Sequence, residues 1–330
     1  MIFIYLLLQC SEDQSRDMYS TEGPAGSPLN SSVASAEIKD NFDTAVVKNV
    51  VIVFLCIFIS YINGILVFTF LKNRIFYETS RYILFIHMVI NDIIQLAVTA
   101  TLFVVSYILF KINVSFCCFL VSVAVFATTN TPLSLAAMAV ERYVAICNPL
   151  RHSQICTVRR TYILIAAIWA AGTISILPDL FIILATEPVS FFHSSVFCVR
   201  DYVFRLPELV QKRNIVHAVN LAFVGFTLMY TYFRVLFAVK SATTDAASAA
   251  KARNTILLHG VQLLLCMLTY IGPSLEFSLL YIFPGKTLEI RYLTYLIVQV
   301  LPRFLSPMIY GVRDQMLRKY LKRHFLCKTI

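Results

Sequence analysis

Charged residues are scarce in this chain. Lys, Arg, Asp and Glu make up 14% of its 330 residues, where a soluble domain carries roughly 25%. Hydrophobic residues reach 58%, and so little polar material could not cover the core of a water-soluble globule. A soluble enzyme, a disordered regulator and a secreted disulfide scaffold are excluded. The nine cysteines show no CxxC pairing of the kind that binds metal. Cys56 and Cys266 lie inside apolar runs, where a thiol is most simply a small buried hydrophobe. The chain has no Ser/His/Asp set, HExxH or phosphate-cradling loop, so neither an enzyme nor a cofactor is suggested. Nor does one half of the chain mirror the other, as transporter halves often do.

What the chain does have is long apolar runs, with a mean hydropathy of +0.75. A helix needs about 20 apolar residues to cross a bilayer. Seven windows meet that need, at 46–71, 82–109, 117–145, 161–185, 214–238, 255–282 and 291–311. A membrane β-barrel would show shorter, alternating segments. The expectation is an all-α membrane protein, a bundle of seven transmembrane helices over 46–311. Residues 1–45 form a segment before it and 312–330 a tail after it. The opening MIFIYLLLQC is too short to span and could serve as a cleaved leader.

Basic residues orient the bundle. Lys72, Arg74, Arg81, Arg151, Arg159, Arg160, Lys240, Lys251 and Arg253 fall in alternate connections, and the tail adds six more. The first segment is instead acidic. The positive-inside rule places the N-terminus outside and the C-terminus in the cytoplasm of a multi-pass plasma-membrane protein. The net charge of +10 is then mostly an inner-face charge that meets anionic lipid, with no call for nucleic acid. The sequons at Asn30 and Asn113 fall on the predicted outside, where they can be glycosylated.

The third window ends in MAVERYVAICNPLRH, residues 138–152. On its own, ERY reads either as a switch or as a charge pair that stops transfer. Arg142 is costly at a helix end in the membrane, and Glu141 beside it is the cheapest local partner. The run as a whole resembles the rhodopsin-like seven-helix receptors, and among them the odorant receptors. The wider text from DNFDTAVVKNV to KARNTILLHG is similar to the bony-fish odorant receptors, so the resemblance covers nearly the whole chain. It implies a rhodopsin-like bundle coupled to a heterotrimeric G protein, with Glu141, Arg142 and Tyr143 at the coupling end. It also implies a small-molecule odorant as ligand and the ciliary membrane of a sensory neuron as location.

Other motifs carry the resemblance further. Asp92 in HMVINDIIQL falls near mid-membrane, where a carboxylate is rarely idle. The resemblance makes it a polar hub with Asn63 of SYINGIL. The last window reads LPRFLSPMIYGVRD, residues 301–314, with Pro307 and Tyr310 in the family's pattern and Ser306 where Asn is usual. Arg303 lies a turn outside Pro307 and should be deep in hydrocarbon; pairing with Asp92 is preferred to snorkelling. The resemblance also implies a disulfide between Cys117 and Cys198, and the choice of Cys117 over its neighbour Cys118 rests on it. The second outer loop lacks the family's extra cysteines and should be less tied down. Trp169 is expected to pack inside the fourth span. KARNTILLHG matches the family at Lys251, Thr255 and His259, and Lys251 and Arg253 lie at the G-protein mouth. The family's aromatic toggle is absent, Cys266 and Met267 standing in its place, with Tyr270 and Pro273 nearby.

The tail places Met316, Leu317, Tyr320, Leu321 and Phe325 at helical spacing among basic residues, which reads as a short interfacial helix. Cys327 there could be acylated. The ligand is expected in the outward half of the bundle. Val121, Ala124, Val125 and Thr128 offer a wall from the third helix, and His217 and Asn220 stand on the fifth. Tyr270 and Glu276 come from the sixth, and Tyr292, Tyr295 and Gln299 from the seventh. Each can equally serve packing. The competing class is a multi-span transporter or channel for a small solute, which should show a polar path through the membrane.

Overall fold

In a bilayer an apolar run can satisfy its own backbone only as a helix or a closed barrel. The computed structural model describes residues 42–109, 111–196, 198, 200–242, 261, 267–268, 271–272, 275–276, 278–314 and 316–320. Among the described residues five helices are long and apolar enough to cross a membrane: Phe42–Lys72, Ser80–Ile108, Val114–Cys147, Val158–Thr186 and Pro207–Ala242. The described residues between 261 and 282 are helical, and a further helical run covers 287–313. The seven windows therefore all hold helix.

The fifth span begins earlier than its apolar window. Pro207 opens it, Glu208 lies in its first turn, and Leu209 buries under the outer loop. Hydropathy sees only the hydrocarbon portion, whereas the helix continues outward through polar turns. The seventh run is also not uniform. Thr287–Thr294 is α-helical, Tyr295–Val300 is π-helical and Leu301–Arg313 is α-helical again.

The third span is the axis, packed against the second, the fourth and the fifth. Of its most apolar window 50% is buried, against 22% for the first and fifth spans, whose outer faces carry Phe54, Ile57, Phe223 and Phe226. Those exposed apolar faces are suited to lipid. Toward the end that the charge pattern assigns to the inside, Phe70, Phe76, Leu84 and Met138 form a core to which Leu317 of the tail contributes, with Tyr320 set edge-on against Phe76. Asp314 anchors that tail turn by accepting from the Leu317 amide at 3.0 Å and pairing with Arg81 at 2.6 Å.

The outer core gathers Ile112, Cys117, Val121, Ile176, Ile183, Cys198, Val203 and Phe204. A disulfide joins Cys117 to Cys198 with Cα atoms 5.6 Å apart, and Cys118 is a free, buried thiol. Beside it, strand β1 (Ile112–Asn113) pairs antiparallel with β2 (Ser195–Val196), matching Ile112 to Val196 and Asn113 to Ser195. The second outer loop is more firmly held than its lack of extra cysteines suggests. Val203 and Phe204 are buried, Arg205 grips Glu187 through both carboxylate oxygens, and Arg200 reaches Asp179.

Candidate functional site

At the inner end, the register of the third helix buries Glu141 and leaves Arg142 and Tyr143 half-buried. Local sequence makes Arg142 the expected partner of Glu141. In the structure His152 has that place, its Nε2 2.9 Å from Glu141 Oε1. His152 is carried by the short helix Pro149–Ile155, which Pro149 opens. The next residue after that helix, Cys156, has its thiol pKa raised, chiefly by burial and then by the Glu141 charge, with Arg160 opposing. Tyr143 meets Tyr230 of the fifth helix edge-on at 6.0 Å. Pro307 is buried, and Tyr310 lies in the same closing helix. Lys251 and Arg253 lie outside the described residues, as do Thr255, His259, Cys266, Tyr270, Pro273, Cys327 and the sequon at Asn30.

Mid-membrane, the four residues assigned to a polar hub are all buried: Asn63 at 0%, Asp92 at 2%, Arg303 at 2% and Ser306 at 5% exposure. The Arg303 charge acts on the Asp92 carboxyl. Among the described residues, however, the two form no ion pair within 4 Å, and Asp92 Oδ1 and both amide atoms of Asn63 have no hydrogen-bond partner. Arg303 instead turns outward, its Nη1 donating to the carbonyls of Val298 at 2.7 Å and Gln299 at 3.0 Å. The reason lies next door. Pro302 has no N–H to give the Val298 carbonyl, and the π turn that follows from Tyr295 shifts the ladder, Leu301 donating to Leu296.

A polar network that sequence inspection passes over links the helices around this hub. Asn91 donates to the Ala127 carbonyl at 2.9 Å and to Thr131 at 2.8 Å. Gln95, fully buried, donates to Thr128 at 2.8 Å and Gln299 at 3.3 Å and accepts from Thr131 at 3.3 Å. Two residues assigned to the cavity, Thr128 and Gln299, are thus tied through a third. Trp169 does not lie wholly inside the bundle: it is 51% exposed, yet its Nε1 donates to His87 Nε2 at 2.7 Å. That acceptor role puts the proton of a neutral ring on Nδ1, facing Ser134 at 3.2 Å. The signal for Asn91 and Gln95 was their spacing beside Asp92, one position before and three after.

The outward half has two sides. Val121 and the half-buried Val125 belong to the apolar cluster beneath the second outer loop, with Ala124 half-buried between them. Opposite, Tyr292 and Tyr295 share Phe103, at ring separations of 6.3 and 5.0 Å, and Tyr295 faces Thr99 at 3.5 Å. Glu276 lies 3.5 Å from Arg291. His217 and Asn220 are half-buried on the fifth helix. Asn113 is exposed and accepts from the Ser115 amide at 2.9 Å, capping the third helix.

Residues 62–310 match the family described as "7 transmembrane receptor (rhodopsin family)". The chain is 32% identical over 275 residues to odorant receptor 131-2 of zebrafish (Danio rerio), covering 81% of this chain and 82% of that one. It is 25% identical to human olfactory receptor 51B5, over 59% of this chain and 64% of the relative. With rat olfactory receptor 51E2 the identity is 29%, over 56% of this chain and 58% of the relative.

Proposed function

The chain belongs to the rhodopsin family of seven-transmembrane receptors, and on that premise we propose that it is an odorant-type receptor. It binds a small chemical ligand in the outward half of the bundle and activates a heterotrimeric G protein at its inner face. The observation that carries this reading is the likeness to odorant receptor 131-2 across 81% of the chain. The buried Glu141 beside Arg142, at the inner end of the axial helix, supports it. A transporter would need a continuous polar path, whereas Phe70, Phe76, Leu84 and Met138 close the inner end around the second and third helices.

In this reading Arg142 engages the G protein once the inner end opens, and Glu141 with His152 holds the short inner-loop helix until then. Tyr143, Lys251, Arg253, Pro307 and Tyr310 complete the coupling face, and Asn63, Asp92, Arg303 and Ser306 make the hub between it and the ligand. The N-terminus, carrying the Asn30 sequon, and Asn113 are extracellular and glycosylated. The tail is cytoplasmic, and the receptor works in the plasma membrane of a sensory cilium. Transfected cells challenged with a panel of water-borne odorants test the reading. Ligand-dependent cyclic-AMP accumulation is expected, and solute flux without it would overturn the proposal in favour of a transporter.

A further inference from the structure

The short inner-loop helix Pro149–Ile155 has no buried side chain, and His152 alone of its seven residues is not exposed. What holds it to its neighbours is therefore polar. Arg160 of the fourth span donates through Nη1 to the carbonyls of Gln154 at 3.0 Å and Ile155 at 3.3 Å. His152 Nε2 meets Glu141 of the third span at 2.9 Å. An element with so few apolar contacts is released at small cost. Glu141 is 6% exposed, whereas the His152 side chain keeps 28% of its surface in water. Facing an ionised carboxylate, Nε2 must carry a proton, which leaves Nδ1 of a neutral ring to take up a second one.

We propose that this contact is a proton-operated latch, through which the acidity of the cytoplasm sets the receptor's resting activity. A neutral ring gives Glu141 one hydrogen bond; a protonated ring gives it that bond and a full positive charge, which is stronger. Imidazole changes charge between about pH 5 and 8. A proton taken from the cytoplasm therefore holds the short helix against the third span, and its loss as pH rises releases that helix. Among the described residues, the other charged and titratable groups around the contact do not take this role. Arg142 adjoins Glu141 and keeps its charge throughout, Arg160 is engaged by the two carbonyls, and Arg151 and Arg159 are exposed to water. At Cys156 burial and then the Glu141 charge push the thiol up, so it does not ionise in this range. Cys147 turns to the Arg234 carbonyl of the fifth span at 3.8 Å. The proposal rests on the reading of this end as the cytoplasmic coupling face and adds a regulator to it.

The test measures hydrogen–deuterium exchange of residues 149–156 in the full-length receptor, purified in nanodiscs, at about pH 6.5 and 7.5. Rates are divided by those of a synthetic peptide of the same sequence, which removes the intrinsic effect of pH. Protection is expected to be about twofold greater at the lower pH. His152→Gln keeps a donor of similar reach but takes up no proton, so its protection should be the same at both. Arg159→Gln, which removes an exposed cation nearby, should keep the full response. Equal protection at both pH values in the unmutated receptor, or a response that survives His152→Gln, would overturn the proposal. So would weaker protection at the lower pH, which would put the operative proton on Glu141. In cells with clamped cytoplasmic pH, ligand-free cyclic AMP should fall about twofold over the same step, relative to His152→Gln. A signalling receptor whose resting cyclic AMP ignored pH would overturn the regulatory role. Exchange needs no G protein, so a pH-dependent contact in a receptor without any cyclic-AMP response would remove the coupling reading and leave the contact standing.

Discussion

Pro302 gives the seventh helix no amide hydrogen at a point where the Val298 carbonyl would otherwise receive one, and the neighbouring Arg303 supplies the donor from its side chain. Arg303→Leu should leave that carbonyl without its donor inside the bundle and lower stability by about 1–3 kcal/mol. Pro302→Ala restores an N–H at the same place. Introduced with Arg303→Leu it should recover part of the loss in thermal melting of the purified receptor, whereas strictly additive losses would show that the arginine serves another end. At the inner face the decisive residue is His152. Its contact with Glu141 leaves the histidine side chain 28% exposed, and pairs of that kind are worth up to about 1 kcal/mol. His152→Ala should therefore raise ligand-free cyclic AMP by about two- to fivefold at equal surface expression. Arg142→Ala should abolish coupling while the receptor still reaches the surface.

Between elements, close approach and cross-linking decide what single residues can do. The third and fourth helices approach so closely at Gly172 that an added Cβ would lie 2.6 Å from Asn130 Oδ1, and Asn130 is itself completely buried. Gly172→Ala should cost about 1–3 kcal/mol through overpacking, read as a lower melting temperature; Gly64→Ala, which meets nothing within 4 Å, is the matched control. The disulfide spans 81 residues, and closing a loop of that length constrains the unfolded chain by about 4 kcal/mol. Cys117→Ser and Cys198→Ser should both be retained inside the cell. Cys118→Ser should reach the surface, and peptide mapping without reductant should recover the 117–198 link. Finding Cys118 in that peptide would move the bond.

For the whole molecule, charge asymmetry predicts an orientation, and a central helix packs against most of its neighbours. An epitope at the N-terminus should be stained on intact cells and one at the C-terminus only after permeabilisation, as the distribution of Lys and Arg among the connections requires. The reverse pattern would invert the receptor and remove the outer site from the ligand. The third helix links the two ends: Val121 lies in the outer core, Thr128 and Thr131 in the Gln95 network, and Glu141 at the inner loop. A ligand that shifts this helix acts on all three levels, because each packs against a different neighbour.

Much of this was legible in the residues themselves. Seven apolar runs dictate seven helices, since no other open structure satisfies its backbone in lipid. Asn63, Asp92 and Arg303 are polar groups in apolar runs, and each is buried in the bundle, as the cost of exposing them to lipid demands. Which groups meet was decided only by the tertiary structure. His152 takes Glu141 from 11 residues away because a short helix folds back under the third span. Arg303 bonds carbonyls of its own helix where the chain suggests Asp92, because a π turn and a proline shift the ladder there. Asp179, Arg200 and Lys212 read as unrelated charges in three segments, and they converge because the outer loop is pinned by Cys198 and by the burial of Val203 and Phe204. Periodicity and composition report what each segment does with its own backbone and with lipid. The pairing of side chains depends on distances between segments, which only the packed bundle sets.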